Sequence, residues 1–337
     1  MTINETLIYF KSFQEKILNG EVLDFEELAL NLFSFQSANN PVYGEYLKVR
    51  KIRPIDIKQI DEIPFLPIGF FKTHPVVSGP IRLFESYYSS SGTTGMVTSK
   101  HHVWSPEFYL HHSLNLFEKE YGSIEGYHVL ALLPSYLERK GSSLVSMADF
   151  LIKKSKSPHS GFYLYNHQEL LDRIALLKED SRRILLLGVT FGLLDLAESG
   201  MTIPEADNLI VMETGGMKGR RREMIREEVH DIYKMAFGVD LVHSEYGMTE
   251  LMSQAYSKGE GKYTLAPTMR VFLRDVNDPF SPANRSQGGI NVIDLANFHS
   301  CAFIETQDLG KVDSEGKVEI LGRFDNSEIR GCNLLLN

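Results

Sequence analysis

The segment Ser244-Glu245-Tyr246-Gly247-Met248-Thr249-Glu250 follows a strand-like run, Val239 to His243. This order places the Thr249 hydroxyl and the Glu250 carboxylate just beyond the C-terminal end of a strand, the edge at which open α/β sheets bind ligands. A single carboxylate there can hold Mg²⁺, which takes one or two carboxylates and completes its shell with phosphate oxygens and water. Taken alone, a glutamate in such a segment is more often a solvated loop residue than a metal ligand. The choice between these two roles therefore depends on the rest of the sequence.

Strands and helices alternate on the N-terminal side of this segment. Strand-like runs cover Ile81 to Tyr88, Tyr127 to Leu133, Arg183 to Leu187 and Leu209 to Met212. Helical patterns begin at Ser105-Pro106 and at Leu170, and a third has Ile225, Val229, Ile232 and Ala236 as its predicted buried stripe. The alternation predicts an α/β fold, with helices packed on mostly parallel sheets.

The two ends of the chain lack this alternation of strands and helices. Thr2 and Glu5 have the spacing of a capping box, and Asp24 can cap a second helix that ends before Asn39-Asn40-Pro41. After Tyr263, short strands and Gly/Asp/Pro turns indicate a smaller β-rich subdomain. We therefore expect an α/β core with N-terminal helices over 1–262, a β-rich subdomain over 263–322 and a hinge-like tail over 323–337.

Composition narrows the classes of function. The 337 residues carry 35 Lys+Arg against 44 Asp+Glu, a formal charge of −9, which argues against broad binding to nucleic acid or to an anionic membrane. Two cysteines, Cys301 and Cys332, cannot form a disulfide framework, which favours a reducing compartment. The most apolar run, Ile184 to Ala197, is too short to span a bilayer, and no targeting segment opens the chain. We expect a cytoplasmic protein without a membrane span.

A second segment, Ser89-Ser90-Ser91-Gly92-Thr93-Thr94-Gly95, is rich in small polar residues. Glycines let the backbone approach a ligand closely, and successive N–H groups and hydroxyls can wrap phosphate oxygens. The Gly-Lys-[Ser/Thr] ending of the Walker pattern is missing, which argues against a P-loop kinase or GTPase. In isolation, such a run is more often a polar turn.

Two later segments offer an acceptor and a donor. Glu305-Thr306-Gln307-Asp308-Leu309-Gly310 supplies the Asp308 carboxylate, and Gly322-Arg323-Phe324-Asp325 supplies the Arg323 guanidinium. These two groups suit the ribose hydroxyls of a nucleotide. Separately, each segment has the composition of a turn between short strands.

The order of the four segments resembles the core motifs of the adenylate-forming superfamily, which includes acyl-CoA synthetases, aryl-CoA ligases, luciferases and adenylation domains. The resemblance implies a large α/β domain with packed sheets and helices, and a site for ATP and Mg²⁺. It implies catalytic roles for Thr249 and Glu250, with Glu250 also binding the metal. The nucleotide-binding residues that it implies are Ser90, Ser91, Gly92, Thr93, Thr94, Gly95, Gly215, Gly216, Tyr246, Gly247, Asp308 and Arg323.

This chain departs from the superfamily pattern at two positions. Gln307 stands where the family usually has glycine, and Asp325 comes one residue early. Both departures fall in the last two segments. The assignments of Asp308 and Arg323 therefore depend most on the order of the motifs.

Three further stretches resemble one branch, the acyl-protein synthetases, which are related to phenylacetate-CoA ligases and include the long-chain-fatty-acid–luciferin-component ligase of bacterial luminescence. They are Phe65 to His74, Leu133 to Leu144 and Arg330-Gly331-Cys332. This resemblance implies that a fatty acid is activated to acyl-AMP and passed to Cys332, with an acyl reductase, an acyl carrier protein or CoA as further partners. Fourteen residues follow Arg323, so we expect the superfamily's mobile C-terminal domain to be absent.

Two alternative functions stay open. The chain could be an acyl- or aryl-CoA ligase that uses CoA directly, or a non-catalytic nucleotide-binding subunit of an acyl-reductase complex. The pairs His101-His102 and His111-His112 lack the spacing of a zinc site, and Cys301 is typical of a buried small hydrophobe.

Overall fold

The protein is seen in a computed structural model that describes residues 1–19, 24–90, 98–134, 141–215, 224–283 and 286–323. The helices of these ranges, short 3₁₀ turns aside, are α1 (Ile3–Leu18), α2 (Phe25–Asn39), α3 (Pro41–Val49), α4 (Phe70–Thr73), α5 (Pro106–Tyr121), α6 (Ser143–Lys154), α7 (His167–Leu177), α8 (Thr190–Ala197) and α9 (Arg226–Phe237). The strands are β1 (Leu66–Pro67), β2 (Ser86–Ser89), β3 (Lys100–Val103), β4 (Tyr127–Leu132), β5 (Gly161–Tyr163), β6 (Arg183–Val189), β7 (Leu209–Thr214), β8 (His243–Tyr246), β9 (Ala255–Ser257), β10 (Lys262–Tyr263), β11 (Met269–Arg274), β12 (Gln287–Asp294), β13 (Phe303–Val312) and β14 (Val318–Arg323). Within these ranges, no helix has both the length and the apolar character needed to cross a bilayer.

The chain divides into two compact units. The α/β unit takes in the described residues of Ser86–Lys100 and Ser105–Tyr263, and the helix-and-sheet unit takes in those of Met1–Glu85, His101–Trp104 and the chain from Thr264 onward. The predicted boundary near residue 262 falls where the chain leaves the α/β unit. We expected the N-terminal helices to belong to the α/β part. Instead, they belong to the same unit as the β-rich part.

Backbone pairing and one buried amide explain this grouping. Strand β1 pairs in parallel with β13, with Leu66 opposite Ile304. The fully buried Gln36 of α2 donates to the carbonyl oxygen of Asn297 at 2.9 Å and accepts from the N–H of Ala302 at 2.9 Å. Pairings between positions far apart in sequence therefore override the sequence continuity on which the predicted division rested.

The α/β unit is built on one sheet, in the order β5-β4-β6-β7-β8-β9. All neighbours are parallel except β9, which runs antiparallel to β8. Every residue of β4 is buried, and so is every residue of β6 after Arg183. Parallel strands that are covered on both faces need such continuous apolar runs. The predicted passage from a buried strand into a core helix over 184–197 is confirmed by β6 and α8.

The helix-and-sheet unit contains the antiparallel ladder β14-β13-β12-β11, with β1 beside β13. Its helices begin where the caps predict. The Thr2 hydroxyl and the Glu5 carboxylate form the reciprocal capping box of α1, and the Asp24 carboxylate accepts from the N–H of Glu27 at the start of α2.

Several sequence predictions were wrong in detail. The run 81–88 is not one strand, because Ile81–Leu83 form a 3₁₀ turn before β2. Helix α6 had no counterpart in the prediction. The buried residues of α9 are Val229, His230, Tyr233 and Phe237, whereas Ile225 precedes the helix and is 63% exposed.

Candidate active site

The C-terminal end of β8 carries the first candidate site. The strand occupies His243–Tyr246, later than predicted, so Ser244, Glu245 and Tyr246 are strand residues. Thr249 and Glu250 follow it, as expected, in a turn closed by the bond from the Leu251 N–H to the Met248 carbonyl at 3.1 Å. Glu250 is only 6% exposed.

Two rows of polar side chains cross the sheet at this end, one on each face. Thr214 lies beside Glu245 in the parallel pair β7–β8, and Glu245 lies opposite Tyr256 in β9. On the other face, Glu213 lies beside Ser244. Successive strand residues point to opposite faces, so two neighbouring strands place two buried carboxyl groups back to back across the sheet.

The carboxyl group of Glu245 is held in an environment that favours its neutral form. Burial raises the pKa of Glu245 to about 7, although the hydrogen bond from the Thr214 hydroxyl opposes that rise. A Cβ atom on Gly247 would lie 2.5 Å from Glu245 Oε1. A larger residue at 247 would therefore have to displace the carboxyl group of Glu245.

The carboxyl group of Glu213, on the other face, has more hydrogen-bonding and charged partners. Its Oε1 lies 2.9 Å from Nε2 of His230 and 3.7 Å from Nε of Arg226, and it accepts from the Ser244 hydroxyl at 3.2 Å. The Thr190 hydroxyl lies 3.4 Å from Glu213 Oε2. Glu213 thus contacts side chains of three surrounding elements, α8, α9 and β8.

The same threonine reaches Gly215, one of the predicted nucleotide-binding residues. The Thr190 hydroxyl lies 3.0 Å from the carbonyl oxygen of Gly215, which follows β7 with a φ of +73°. That left-handed backbone favours glycine. The Glu213 network therefore fixes the point at which the chain leaves β7.

Part of the predicted phosphate loop is described. The hydroxyl of Ser90 accepts from the N–H of Ser99 at 2.9 Å, and the Ser90 N–H donates to the Ser99 carbonyl at 3.1 Å. The predicted residues Ser91, Gly92, Thr93, Thr94, Gly95, Gly216, Asp325 and Cys332 lie outside the described residues.

The third segment lies in the other unit and is not a turn between strands, as its composition indicated. Thr306, Gln307 and Asp308 are inside the ten-residue strand β13. Gly289 pairs with Leu309 and Asn291 pairs with Glu305, so the single residue Ile290 faces three residues of β13. The predicted segment is therefore a β-bulge, a feature that redirects side chains.

The β13–β14 ladder brings together the two groups that were predicted to bind ribose. Asp308 lies directly opposite Arg323 in the β13–β14 ladder, and Arg323 Nε is 3.7 Å from Asp308 Oδ1. Arg323 also donates to Oε1 of Gln307 at 3.4 Å. Asp308 is 5% exposed, whereas the Arg323 side chain is 67% exposed. The glutamine that replaces the usual glycine thus becomes a partner of Arg323.

Three charged residues at these sites had no assigned role in the sequence prediction: Glu213, Glu245 and Arg274. Each is less than 10% exposed, and buried ionisable groups need partners or neutralisation. A signal was present for Glu213, because it comes directly after the apolar run Leu209 to Met212 of β7. Glu245 lies in the short, mostly polar strand His243–Tyr246, which gave no such contrast. Arg274 gave no such signal.

Among the described residues, no group of three or more His, Cys, Asp or Glu side chains could hold a metal ion. Magnesium does not need such a group, because it binds through one or two carboxylates and completes its shell with phosphates and water. The carboxylate of Glu250, 6% exposed in the turn after β8, is the predicted metal ligand, and that role stays a prediction.

No protein-family model and no curated protein sequence matches this chain. Solved structures do match. The ATP-bound structure of MatB from Rhodopseudomonas palustris aligns with a TM-score of 0.52 at 18% identity, over 71% of this chain and 48% of that one. An open conformation of 2-hydroxyisobutyryl-CoA ligase, in complex with 2-HIB-AMP and CoA, aligns with a TM-score of 0.64 at 12% identity, over 93% and 70%.

O-succinylbenzoate coenzyme A synthetase (MenE) from Bacillus subtilis, in complex with AMP, aligns with a TM-score of 0.50 at 17% identity, over 73% of this chain and 50% of that one. The chain therefore has the α/β fold of the adenylate-forming acid–CoA ligases, as predicted. It spans about half the length of MatB and of MenE.

Proposed function

We propose that the chain activates a carboxylic acid with MgATP to acyl-AMP and then transfers the acyl group to a thiol. The observation that carries the proposal is the placement of Thr249 and Glu250 beyond β8, beside the β7 end that leads into Gly215. The fold supports it, because proteins that share this fold were solved with ATP, with AMP and with the adenylate 2-HIB-AMP.

In the first half-reaction, a carboxylate oxygen of the acid attacks the α-phosphorus of ATP. The bond from that phosphorus to the oxygen bridging to the β-phosphate breaks, and pyrophosphate leaves. Bound Mg²⁺, held by Glu250, would supply neutralisation of phosphate charge. The chain's own groups act through positioning and electrostatics.

Those groups divide by the part of ATP that each would hold. Ser90 to Gly95 would hold phosphates with Thr249, and Gly215, Gly216, Tyr246 and Gly247 would border the base and sugar. Asp308 accepts from a ribose hydroxyl, and Arg323 donates to one.

In the second half-reaction, a thiolate attacks the acyl carbon, the bond to the phosphate oxygen breaks, and AMP leaves. The resemblance to acyl-protein synthetases points to a fatty acid and to Cys332 as the acceptor. An acyl reductase or an acyl carrier protein would then receive the group. Cys301 does not suit this role, because it is fully buried and burial raises the pKa of its thiol to about 12.

The test is acid-dependent release of pyrophosphate from ATP, screened over fatty, aryl and short-chain acids. Intact-protein mass spectrometry then looks for a hydroxylamine-labile acyl adduct. We expect Cys332→Ser to abolish the adduct without stopping pyrophosphate release, and Cys301→Ser, the matched control, to abolish neither. An adduct that persists in Cys332→Ser places the acceptor elsewhere.

CoA is the alternative acceptor, favoured by the ligase of the same fold that was solved with CoA. Robust acyl-CoA formation with no protein adduct would establish that reading. ATP binding without pyrophosphate release, for every acid in the panel, would refute adenylation and favour a non-catalytic nucleotide-binding subunit.

A further inference from the structure

Strand β11 ends in a buried cation. Arg274 is 4% exposed, and its guanidinium spans two strands. Nη1 donates to the Ile290 carbonyl at 2.7 Å and to Oδ1 of Asn291 at 3.0 Å, while Nη2 donates to the Thr306 carbonyl at 2.6 Å. Its Nε lies 3.9 Å from Oε1 of Glu305. A buried guanidinium is costly to desolvate, so these contacts must offset that cost.

The carbonyl groups that Arg274 reaches are those at the bulge. Ile290 is the single residue that faces three residues of β13, and Thr306 is the first of those three. A bulge interrupts the ladder locally, and buried carbonyls left without donors destabilise the fold. Arg274 supplies donors on both sides of the interruption.

The backbone leaves room for this arginine. Gly289 lies opposite Arg274 in the β11–β12 ladder, and a Cβ atom on Gly289 would lie 2.6 Å from Cζ of Arg274. A glycine at 289 is therefore what admits the guanidinium into the bulge.

From the bulge, hydrogen bonds lead to Asp308. The Thr306 hydroxyl donates to the same Ile290 carbonyl at 2.8 Å, and its oxygen accepts from the N–H of Asp308 at 3.1 Å. Burial lowers the pKa of Arg274, and the charges of Glu305 and then Asp308 oppose that lowering, so Asp308 is within electrostatic reach of the guanidinium. The backbone position of Asp308 therefore depends on groups that Arg274 holds.

We propose that Arg274 is a positioning residue for ribose recognition: by filling the β13 bulge, it sets the Asp308 carboxylate to accept a hydrogen bond from a ribose hydroxyl. The inference rests on the proposed function, because it takes Asp308 as the ribose acceptor. It adds a residue that no motif contains and that does not contact the nucleotide itself.

The experiment measures binding of AMP, 2′-deoxy-AMP and 3′-deoxy-AMP to the full chain by titration calorimetry. We expect Arg274→Gln to weaken AMP binding about 10- to 100-fold, the range of one hydrogen bond to a charged group. One of the two deoxy analogues lacks the hydroxyl that Asp308 binds, and the wild type should already bind that analogue more weakly than AMP. For that analogue, Arg274→Gln should weaken binding further by less than about twofold. Arg270→Gln is the matched control, since Arg270 lies on the same strand but is exposed.

Arg274→Lys covers the case in which Arg274→Gln does not fold. It keeps the charge but loses the planar fork that bridges two carbonyls, and the same selective loss for AMP is expected. Equal weakening of AMP and both deoxy analogues, or no weakening at all, overturns the proposal. Wild-type chain that binds AMP but releases no pyrophosphate refutes adenylation alone, whereas wild-type chain that binds no AMP refutes both.

Discussion

Replacing Glu245 with glutamine should stabilise the protein, and the gain should grow with pH. The pKa of Glu245 lies at about 7 in the folded chain, against an ordinary value of 4.5, because burial penalises the charged form. At about 1.4 kcal/mol per unit, the difference corresponds to roughly 3 kcal/mol. Glutamine keeps the size of the side chain and a hydrogen-bonding group for Thr214, but it does not ionise.

The sign follows from proton binding in the two states. Below pH 4.5 both the folded and the unfolded chain carry the proton, so the wild type bears no penalty. Between pH 4.5 and 7 the unfolded chain ionises first, so wild-type stability falls as pH rises, by up to about 1.4 kcal/mol per unit. Above pH 7 the loss is complete. The advantage of Glu245→Gln therefore opens across that window and then levels off.

Urea denaturation at pH 5, 6, 7 and 8 measures this advantage directly. We expect the difference in unfolding free energy between variant and wild type to increase by about 2–3 kcal/mol from pH 5 to pH 8. Glu228→Gln, which removes an exposed carboxylate from α9, controls for the general change in charge. A constant offset across the four pH values, or a gain that shrinks with pH, would refute the buried neutral carboxyl.

Three further changes test other parts of the structure. Glu250→Gln should keep the fold but slow pyrophosphate release about 10²- to 10³-fold, typical for one preorganised electrostatic group; an unchanged rate in a steady-state assay rules out its role. Gly289→Ala should lower the unfolding free energy by about 1–3 kcal/mol, because the added methyl overpacks against Arg274. Gly69→Ala is the control: no atom lies within 4 Å of its added methyl, so it should cost far less in the same thermal denaturation experiment. From pH 7 to pH 5, the unfolding free energy of His299→Phe should rise relative to that of the wild type by about 2 kcal/mol. Burial holds the pKa of His299 well below 6.5, so only the unfolded wild-type chain takes up the proton in this range. Equal pH dependence of the two proteins in urea titrations would contradict this.

Local signals in the sequence predicted the helix starts well. The capping box of Thr2 and Glu5 and the Asp24 cap each form within three residues of their partners, so neighbouring residues contain the whole cause. The strand boundaries were less predictable. The start of β8 moved from 239 to His243, because a strand begins where its neighbour in the sheet offers partners.

The bulge could not have been predicted from the segment that forms it. Thr306-Gln307-Asp308 has the composition of a turn, yet it lies within a strand, where the Thr306 carbonyl accepts from the guanidinium of a residue 32 positions earlier. The space for that guanidinium depends in turn on Gly289. The motif order singled out Asp308 and Arg323, whose binding to ribose stays a prediction, whereas the residues that contact Asp308 follow from tertiary contacts alone.

The back-to-back carboxyl groups at the end of the α/β sheet also bear on how β8 finds its place. A slip of β8 by one residue would turn every one of its side chains to the opposite face. Glu245 would then meet His230 and Arg226, already occupied by Glu213, while Ser244 would enter the space beside Thr214 in its stead. Two carboxyl groups would compete for Arg226 and for the ring nitrogen of His230, so the misaligned strand is penalised by electrostatics as well as by shape. The two buried carboxyl groups at this end of the sheet thus favour the correct register of β8 during folding, whether or not a ligand is bound.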